Sequence, residues 1–344
     1  MNIGILTGGG DCPGLNAVIR AVVKRGLQFG YEFTGIRDGW RGLIQPKPST
    51  MKLTRQAVSG LLPLGGTILG TSRTNPFKDP KDTETLLRNI KDLKLDAIIC
   101  IGGDDTLSVA EKLFARGIKT IGVPKTIDND LSGTDFTFGF DTAVSIVTWA
   151  LDRLHSTTEA HQRVMVVEVM GRHAGWIAVY GGIAGGADVI LIPEKPFDVE
   201  EVCGYIKKRK EAGKNFSLVV AAEGAYPKEA GGMITKDKEL DAFGHAKLGG
   251  VGEFLASEIE KRLGLESRFV VLGHLQRGGT PTAYDRVLAT RFGVRAIEMV
   301  NEGKFGRMVA LQGNKIVDIS LQEATAKLKT VDMEMYRTAQ IFFG

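Results

Sequence analysis

Cysteine is scarce in this 344-residue chain: Cys12, Cys100 and Cys203 are the only three. They are odd in number and nowhere spaced as C-x-x-C, so neither a disulfide framework nor a zinc site is signalled, and reduced, mostly buried thiols are expected. Long apolar runs are missing too. None approaches the ~20 residues of a transmembrane helix, and no basic-then-apolar leader precedes the opening NIGILTG, which points to a cytoplasmic protein without membrane contact. Nor does charge of one sign accumulate. The formal net charge is +4, and the arginines stand singly in loops, which argues against nucleic-acid binding and suits small anionic ligands. Two nucleotide signatures are incomplete. In residues 7–14 (TGGGDCPG) Pro13 takes the place of the third glycine of a dinucleotide fingerprint, which disfavours a dehydrogenase. In residues 64–73 (LGGTILGTSR) Thr71 stands where a Walker A loop requires lysine.

What the chain has in plenty is glycine, 44 residues, many of them in turns where a ligand can meet the backbone. Its length exceeds the usual reach of one hydrophobic core and predicts two lobes with a cleft between them. Strand-like runs alternate with helix-spaced apolar residues: NIGILT, a helix over 15–27, a strand near 33–36, DAIICI, a helix over 106–116, TIGVP, a helix over 142–154, RVMVVEVM, and onward to a helix over 283–302. This alternation predicts an α/β fold built on parallel sheets with crossover helices. Ligands in such folds bind beyond the carboxyl ends of the strands, beside helix N-termini that favour anions. One stretch, residues 226–249, breaks the rhythm and reads as a flexible excursion near the cleft or as an exposed hairpin.

The chemistry-bearing residues sit where strands end. Gly8, Gly9 and Gly10 let backbone N–H groups face a phosphate, or simply make a tight turn. Residues 96–106 (DAIICIGGDDT) crowd Asp104 and Asp105 onto a glycine turn, an arrangement that can hold a metal ion against phosphate oxygens. Residues 122–130 (GVPKTIDND) add Lys125, Asp128 and Asp130. Acids this close suit a division in which one binds metal and another accepts a proton, with an Asx-rich turn as the plainer alternative. Arg73 follows its glycine turn at a place from which it reaches a transferring phosphoryl group or sits solvated. Arg172 in VMGRHAG, Arg277 in GHLQRGG, Arg163 and Arg268 complete a set of guanidinium forks matched to the oxygens of a sugar phosphate.

In order and spacing, TGGGDCPGLNA, GTSR, IGGDDT, PKTIDND, HQRVMVVEVMGR, AAEG and LGHLQRGG resemble the motifs of the 6-phosphofructokinase family over essentially the whole chain. The resemblance implies two lobes, each a Rossmann-like, mainly parallel sheet with helices on both faces. Residues 1–139 plus 276–326 would form the phosphoryl-donor and metal-binding lobe, and residues 140–275 plus 327–344 the sugar-phosphate lobe. It implies phosphorylation of fructose 6-phosphate at the 1-hydroxyl, with Asp128 as general base and Thr126 and Asp130 placing the sugar. Asp104 would hold Mg²⁺ on the donor phosphates, Gly10 would offer them its N–H, and Arg73 and Arg172 would face the phosphoryl group in flight. Met170, Gly171, Arg172 and Glu223 would line the sugar, with His274 and Arg277 at its far end. Arg163 and Arg268 would reach into a neighbouring subunit's site, making a homodimer or homotetramer part of the machinery. Arg20, Lys24 and Arg55 fall where allosteric bacterial members bind effectors, but His155 replaces an arginine of that pattern, which disfavours such control.

The same resemblance bears on the donor. Members that use ATP have glycine at the place of Asp105, whose carboxylate would collide with the α-phosphate of a nucleotide. Like charges ~4 Å apart cost about 4 kcal/mol at an effective dielectric of about 20. Lys125, where many ATP enzymes again have glycine, would neutralise pyrophosphate oxygens that carry no nucleoside. The expectation is a pyrophosphate-dependent member, working in either direction with phosphate as the second product. The alternatives are an ATP-dependent phosphofructokinase and, more remotely, a non-catalytic sugar-phosphate sensor, which the joint presence of Asp104 and Asp128 disfavours. The position of Asp105 also suits a cap or first-turn acid for the helix expected from Thr106.

Overall fold

Continuous apolar runs become strands buried on both faces. In β1 (Asn2–Thr7) and β4 (Ala97–Gly102), the side chains of Ile3, Ile5, Leu6, Ile98, Ile99, Cys100 and Ile101 are fully buried. The computed structural model describes residues 1–233, 235–240, 243 and 246–344. Its first sheet joins these strands to β2 (Glu32–Ile36), β3 (Thr50–Lys52), β5 (Thr120–Pro124), β12 (Arg307–Gln312) and β13 (Lys315–Ser320), in the order β13-β12-β5-β4-β1-β2-β3. The five central strands run parallel, and β3 and β13 are antiparallel edges. Chain order reverses between β1 and β4, so the crevice beyond their carboxyl ends is a topological switch point.

A second, all-parallel sheet has the order β11-β6-β8-β7, from β6 (Val164–Val169), β7 (Val189–Leu191), β8 (Ser217–Ala222) and β11 (Ser267–Val271). Helices α1 (Leu15–Gly26), α4 (Asp104–Phe114), α5 (Phe140–Ala160), α6 (Trp176–Ala184), α7 (Val199–Glu211), α8 (Val251–Leu263) and α9 (Ala283–Asn301) flank the two sheets. One buried cluster runs continuously from Ile5 and Ile99 of the first sheet through Val147 of α5 to Val167 and Val220 of the second. Cys12, Cys100 and Cys203 are buried and unpaired. Among the described residues, no helix is long and apolar enough to cross a membrane.

The structure departs from the sequence reading at several places. Helix α4 starts at Asp104 rather than Thr106, because Gly103 takes the N-cap position with no side chain to announce it. Helix α5 continues to Ala160, six residues past the last apolar position of its pattern, on a polar turn and a half. Four helices were not expected from the sequence: α2 (Arg41–Ile44), α10 (Leu321–Thr325), α11 (Met333–Gln340) and α3 (Pro80–Asp92), which buries only Leu86, Asn89 and Ile90. Its start was nonetheless written in the sequence, since Asp79 accepts from the Lys81 N–H at 2.8 Å and Pro80 opens the first turn. Within 226–249 the chain forms an antiparallel pair, β9 (Thr235–Leu240) with β10 (Ala246–Leu248), as the hairpin alternative had it. Residues 234, 241, 242, 244 and 245 of that stretch lie outside the described residues.

Candidate active site

Strand register brings the motifs together. Thr7 of β1 pairs with Ile101 of β4, and Gly102 with Pro124 of β5, so the TGGG, GGDD and PKTIDND loops leave the first sheet in one row. In the second sheet Val169 pairs with Ala222, and Glu168 with Val271, which levels the loops bearing Arg172, Glu223 and Arg277. Between the two rows lies an open cleft. Four cations (Arg73, Lys125, Arg172, Arg277) and four carboxylates (Asp104, Asp105, Asp128, Asp130) line it together with Gly9, Gly10, Gly103, Thr106 and Thr126. Cations bind phosphate; carboxylates bind metal or a proton. A cleft holding both in equal number suits a metal-assisted reaction of a phosphate ester.

The first row of loops is held by close approaches. A Cβ on Gly8 would lie 2.5 Å from the Thr106 hydroxyl, and one on Gly10 would lie 2.7 Å from Nη1 of Arg277, so glycine at these positions lets α4 and the 273–277 turn close over the loop. The same Arg277 nitrogen donates to the Asp11 carbonyl at 3.2 Å. Lys125 is buried, with its ammonium donating to the Gly10 carbonyl. Burial, reinforced by the Arg277 charge, lowers its pKa to about 8, whereas the carboxylates of Asp128 and Asp11 favour the charged form. Asp104 and Asp105 occupy the first turn of α4, where the positive end of the helix dipole favours negative charge. Asp104 is exposed in the cleft and Asp105 half-buried.

Deeper in, the 126–130 turn stacks its acids. The Thr126 hydroxyl accepts from the Asp128 N–H at 3.0 Å, and Asn129 adopts φ 52°, an uncommon left-handed conformation that sends Asp128 and Asp130 out around it. Asp128 is 5% exposed, and its Oδ1 is buried without a hydrogen-bond partner among the described residues. A buried carboxylate oxygen left unmatched by the protein is matched by what enters the cleft. Burial and the Asp128 charge push Asp130 up to about 7, against the opposing pull of Thr126 and Arg172.

Across the cleft, Arg172 has φ 51° and donates its N–H to Oε1 of Glu223 at 3.2 Å. Burial and the charge of Asp128 raise Glu223 to about 7 from an ordinary 4.5. A carboxyl group whose folded pKa is raised adds stability that is complete below its unfolded pKa and lost as pH climbs through 7. Glu223→Gln retains the acceptor for Arg172 and cannot ionise. Its advantage in thermal unfolding over the parent is therefore expected to be small near pH 5 and to reach on the order of 1 to 3 kcal/mol at pH 8. A difference that does not change with pH would contradict this.

Of the residues singled out from sequence, Gly10, Arg73, Asp104, Asp105, Lys125, Thr126, Asp128, Asp130, Arg172 and Arg277 line the cleft. Gly171 and Glu223 adjoin it through Arg172, and Met170 N–H points to Oε1 of the buried Gln276 at 3.4 Å. His274 is exposed and does not line the cleft. Arg163 and Arg268 lie at the opposite ends of β6 and β11, where both meet Glu266, at 3.6 and 3.0 Å. The six-residue length of β6 separates them from the cleft by roughly 20 Å. Two lining residues were not anticipated. His173 follows Arg172 in the same motif, and Leu328 belongs to a C-terminal stretch with no periodic signal at all.

Comparison with known proteins agrees with this geometry. The family model for phosphofructokinase matches residues 2–300. The chain is 59% identical, over the whole of both chains, to the pyrophosphate–fructose 6-phosphate 1-phosphotransferase of Streptomyces coelicolor. It is also 53% identical to ATP-dependent 6-phosphofructokinase 3 of that organism, over 99% of each chain. Among solved structures, the pyrophosphate-dependent phosphofructokinase of Marinobacter aquaeolei superposes with a TM-score of 0.81 at 26% identity, covering 97% of this chain and 86% of that one.

Proposed function

The chain belongs to the phosphofructokinase family, and on that premise we propose that it transfers a phosphoryl group from pyrophosphate to the 1-hydroxyl of fructose 6-phosphate, giving fructose 1,6-bisphosphate and phosphate. The observation that carries the donor is Asp105 in the cleft wall, with the Lys125 ammonium beside the Gly10 loop. A carboxylate there opposes the α-phosphate of a nucleotide, and a buried ammonium suits a donor whose charge is concentrated on two phosphorus centres.

In this reading the Asp128 carboxylate takes the proton of the 1-hydroxyl as that oxygen attacks the nearer phosphorus of pyrophosphate. The bond from this phosphorus to the bridging oxygen breaks, and phosphate departs. Thr126 and Asp130 orient the sugar, and Arg73, Lys125 and Arg172 balance charge on the group in transfer. Met170, Gly171, Glu223 and Arg277 are assigned to the sugar phosphate, His274 to its far end from outside the cleft lining, and the Gly10 N–H to the donor. Mg²⁺ would supply charge neutralisation on the donor oxygens. Asp104 is the residue to hold it: no group of three or more His, Cys, Asp or Glu side chains suited to a metal exists among the described residues, and magnesium is commonly bound by one carboxylate plus substrate phosphates and water.

We assign Arg163 and Arg268 to a neighbouring subunit's site in a homodimer or homotetramer, since neither reaches the cleft of its own chain. The apolar surface nearby supports a subunit contact: on edge strand β11 Phe269 and Val271 are exposed, and Leu275 follows them at 64% exposure. The buried thiols suit a reducing compartment, and we place the reaction in the cytoplasm.

The test is the initial rate of fructose 1,6-bisphosphate formation from fructose 6-phosphate and Mg²⁺ with pyrophosphate or with ATP. Strong preference for pyrophosphate is expected. Preference for ATP would remove the donor assignment, and no turnover with either would remove the kinase reading.

A further inference from the structure

The geometry points to Lys329 as a positioning residue that fastens the loop bearing Asp128 and Asp130 to the loop bearing Arg172. This rests on the phosphotransferase reading above. Lys329 lies between α10 and α11 (Met333–Gln340), where the chain passes behind the cleft as an extended strap. Every polar atom of the residue is used. Its backbone N–H donates to the Asp130 carbonyl at 2.8 Å. Its carbonyl accepts from Nε1 of Trp176, the first residue of α6, at 3.0 Å. Its ammonium donates to Oδ1 of Asn129 at 3.0 Å and to the carbonyls of Thr134 and Asp135, both at 2.8 Å. Three donors meet three acceptors, so the hydrogen-bonding capacity of this half-buried ammonium is fully used within the protein.

Neighbouring contacts make the strap bilateral. On the side of the acids, Leu328 bridges Leu131, and the Ser132 hydroxyl donates to the Lys327 carbonyl at 2.8 Å. On the other side, Val331 N–H donates to Oε1 of Glu194 at 2.8 Å, the carboxylate that also accepts from Gly175 N–H at the start of α6. Arg172 is three residues before Gly175, and Asn129 sits between the two acids in its left-handed conformation. The ammonium therefore holds the one side chain whose backbone conformation aims both Asp128 and Asp130, while the carbonyl of the same residue ties that turn to the opposite wall.

Charge reinforces the arrangement. Burial brings its pKa down to about 8, against the carboxylates of Asp135 and Asp130, which face the ammonium and favour its charged form. Asp130 in turn faces Asp128 and Arg172. Below pH 8 a cation thus stands behind the acid pair.

The test compares the parent with Lys329→Met, Lys329→Arg and Trp176→Phe in the fructose 6-phosphate and pyrophosphate assay, with circular dichroism and thermal unfolding as the check on folding. For K329M, kcat should fall about 10²-fold, the loss typical of a displacement near 1 Å. KM for fructose 6-phosphate should stay within about threefold, because the sugar's own contacts remain. The acid limb of kcat against pH should move upward once the cation behind Asp130 is gone, and K329R, which keeps that cation, should hold the limb in place. If K329M does not fold, Trp176→Phe decides: it leaves the ammonium intact, cuts the tie to the second loop and should lower kcat about tenfold. A folded K329M with parental kcat and an unmoved acid limb overturns the proposal, as does a parental kcat for Trp176→Phe where K329M is unfolded. An inactive parent would overturn the phosphotransferase reading instead.

Discussion

Asp128→Ser is expected to lower kcat for fructose 1,6-bisphosphate formation by about 10³-fold while KM for fructose 6-phosphate changes by only a few-fold, because a positioned base contributes about 10² to 10⁴-fold and acts on the transition state alone. The structure gives reasons to choose this acid among its neighbours. Asp128 has a buried oxygen with no partner among the described residues. Burial, with the nearby Asp128 charge, pushes Asp130 and Glu223 upward, which favours their protonated, hydrogen-bond-donating forms. Asp128→Asn sharpens the test. It keeps the shape but cannot take a proton, and it removes the Asp128 charge that adds to burial in raising Asp130 and Glu223. Its kcat should be as poor as that of the serine variant although its fold is at least as stable. Near-parental turnover in either variant would refute the assignment of Asp128 as the base.

How much of this could be read from the chain depended on what each residue signals locally. The central strands were legible because Ile3 to Leu6 and Ile98 to Ile101 are buried on both faces and so run unbroken in the sequence. The cleft acids and arginines were legible because they stand directly after such strands, and parallel register then levels them without further instruction. The start of α4 was not, since Gly103 caps it with backbone alone. Leu328 and Lys329 were invisible for another reason: they belong to no periodic element, and their importance lies in contacts with Leu131, Asn129 and Trp176, between 153 and 200 residues away in the chain. Long-range closure of this kind is decided by packing and hydrogen bonding of the whole molecule. Arg163 and Arg268 are a different case: the role that the family resemblance implies for them lies in a neighbouring subunit's site, so the fold of one chain does not test it.

Asp105→Gly is expected to shift the ratio of kcat/KM for ATP to that for pyrophosphate upward by about 10² to 10³-fold, the equivalent of removing some 3 to 4 kcal/mol of like-charge repulsion. Overall similarity does not settle the donor, for relatives named for pyrophosphate and for ATP match this chain at 59% and 53% identity over their full lengths. The difference must reside in a few side chains. Asp105 is one of two acids in the first turn of α4, so its removal leaves Asp104 in place and exposes the N–H groups of a helix start to an incoming phosphate. The local cost is modest, about 1 kcal/mol for glycine in a helix turn, together with the lost attraction between an acid and the helix start. A protein that folds normally while its donor preference reverses would place discrimination at this residue. Lys125→Gly should act in the other direction, lowering turnover with pyrophosphate by removing the buried ammonium that the Gly10 carbonyl holds in position. An Asp105→Gly enzyme with an unchanged donor ratio would sink the electrostatic account and leave the choice of donor to parts of the cleft beyond the first turn of α4.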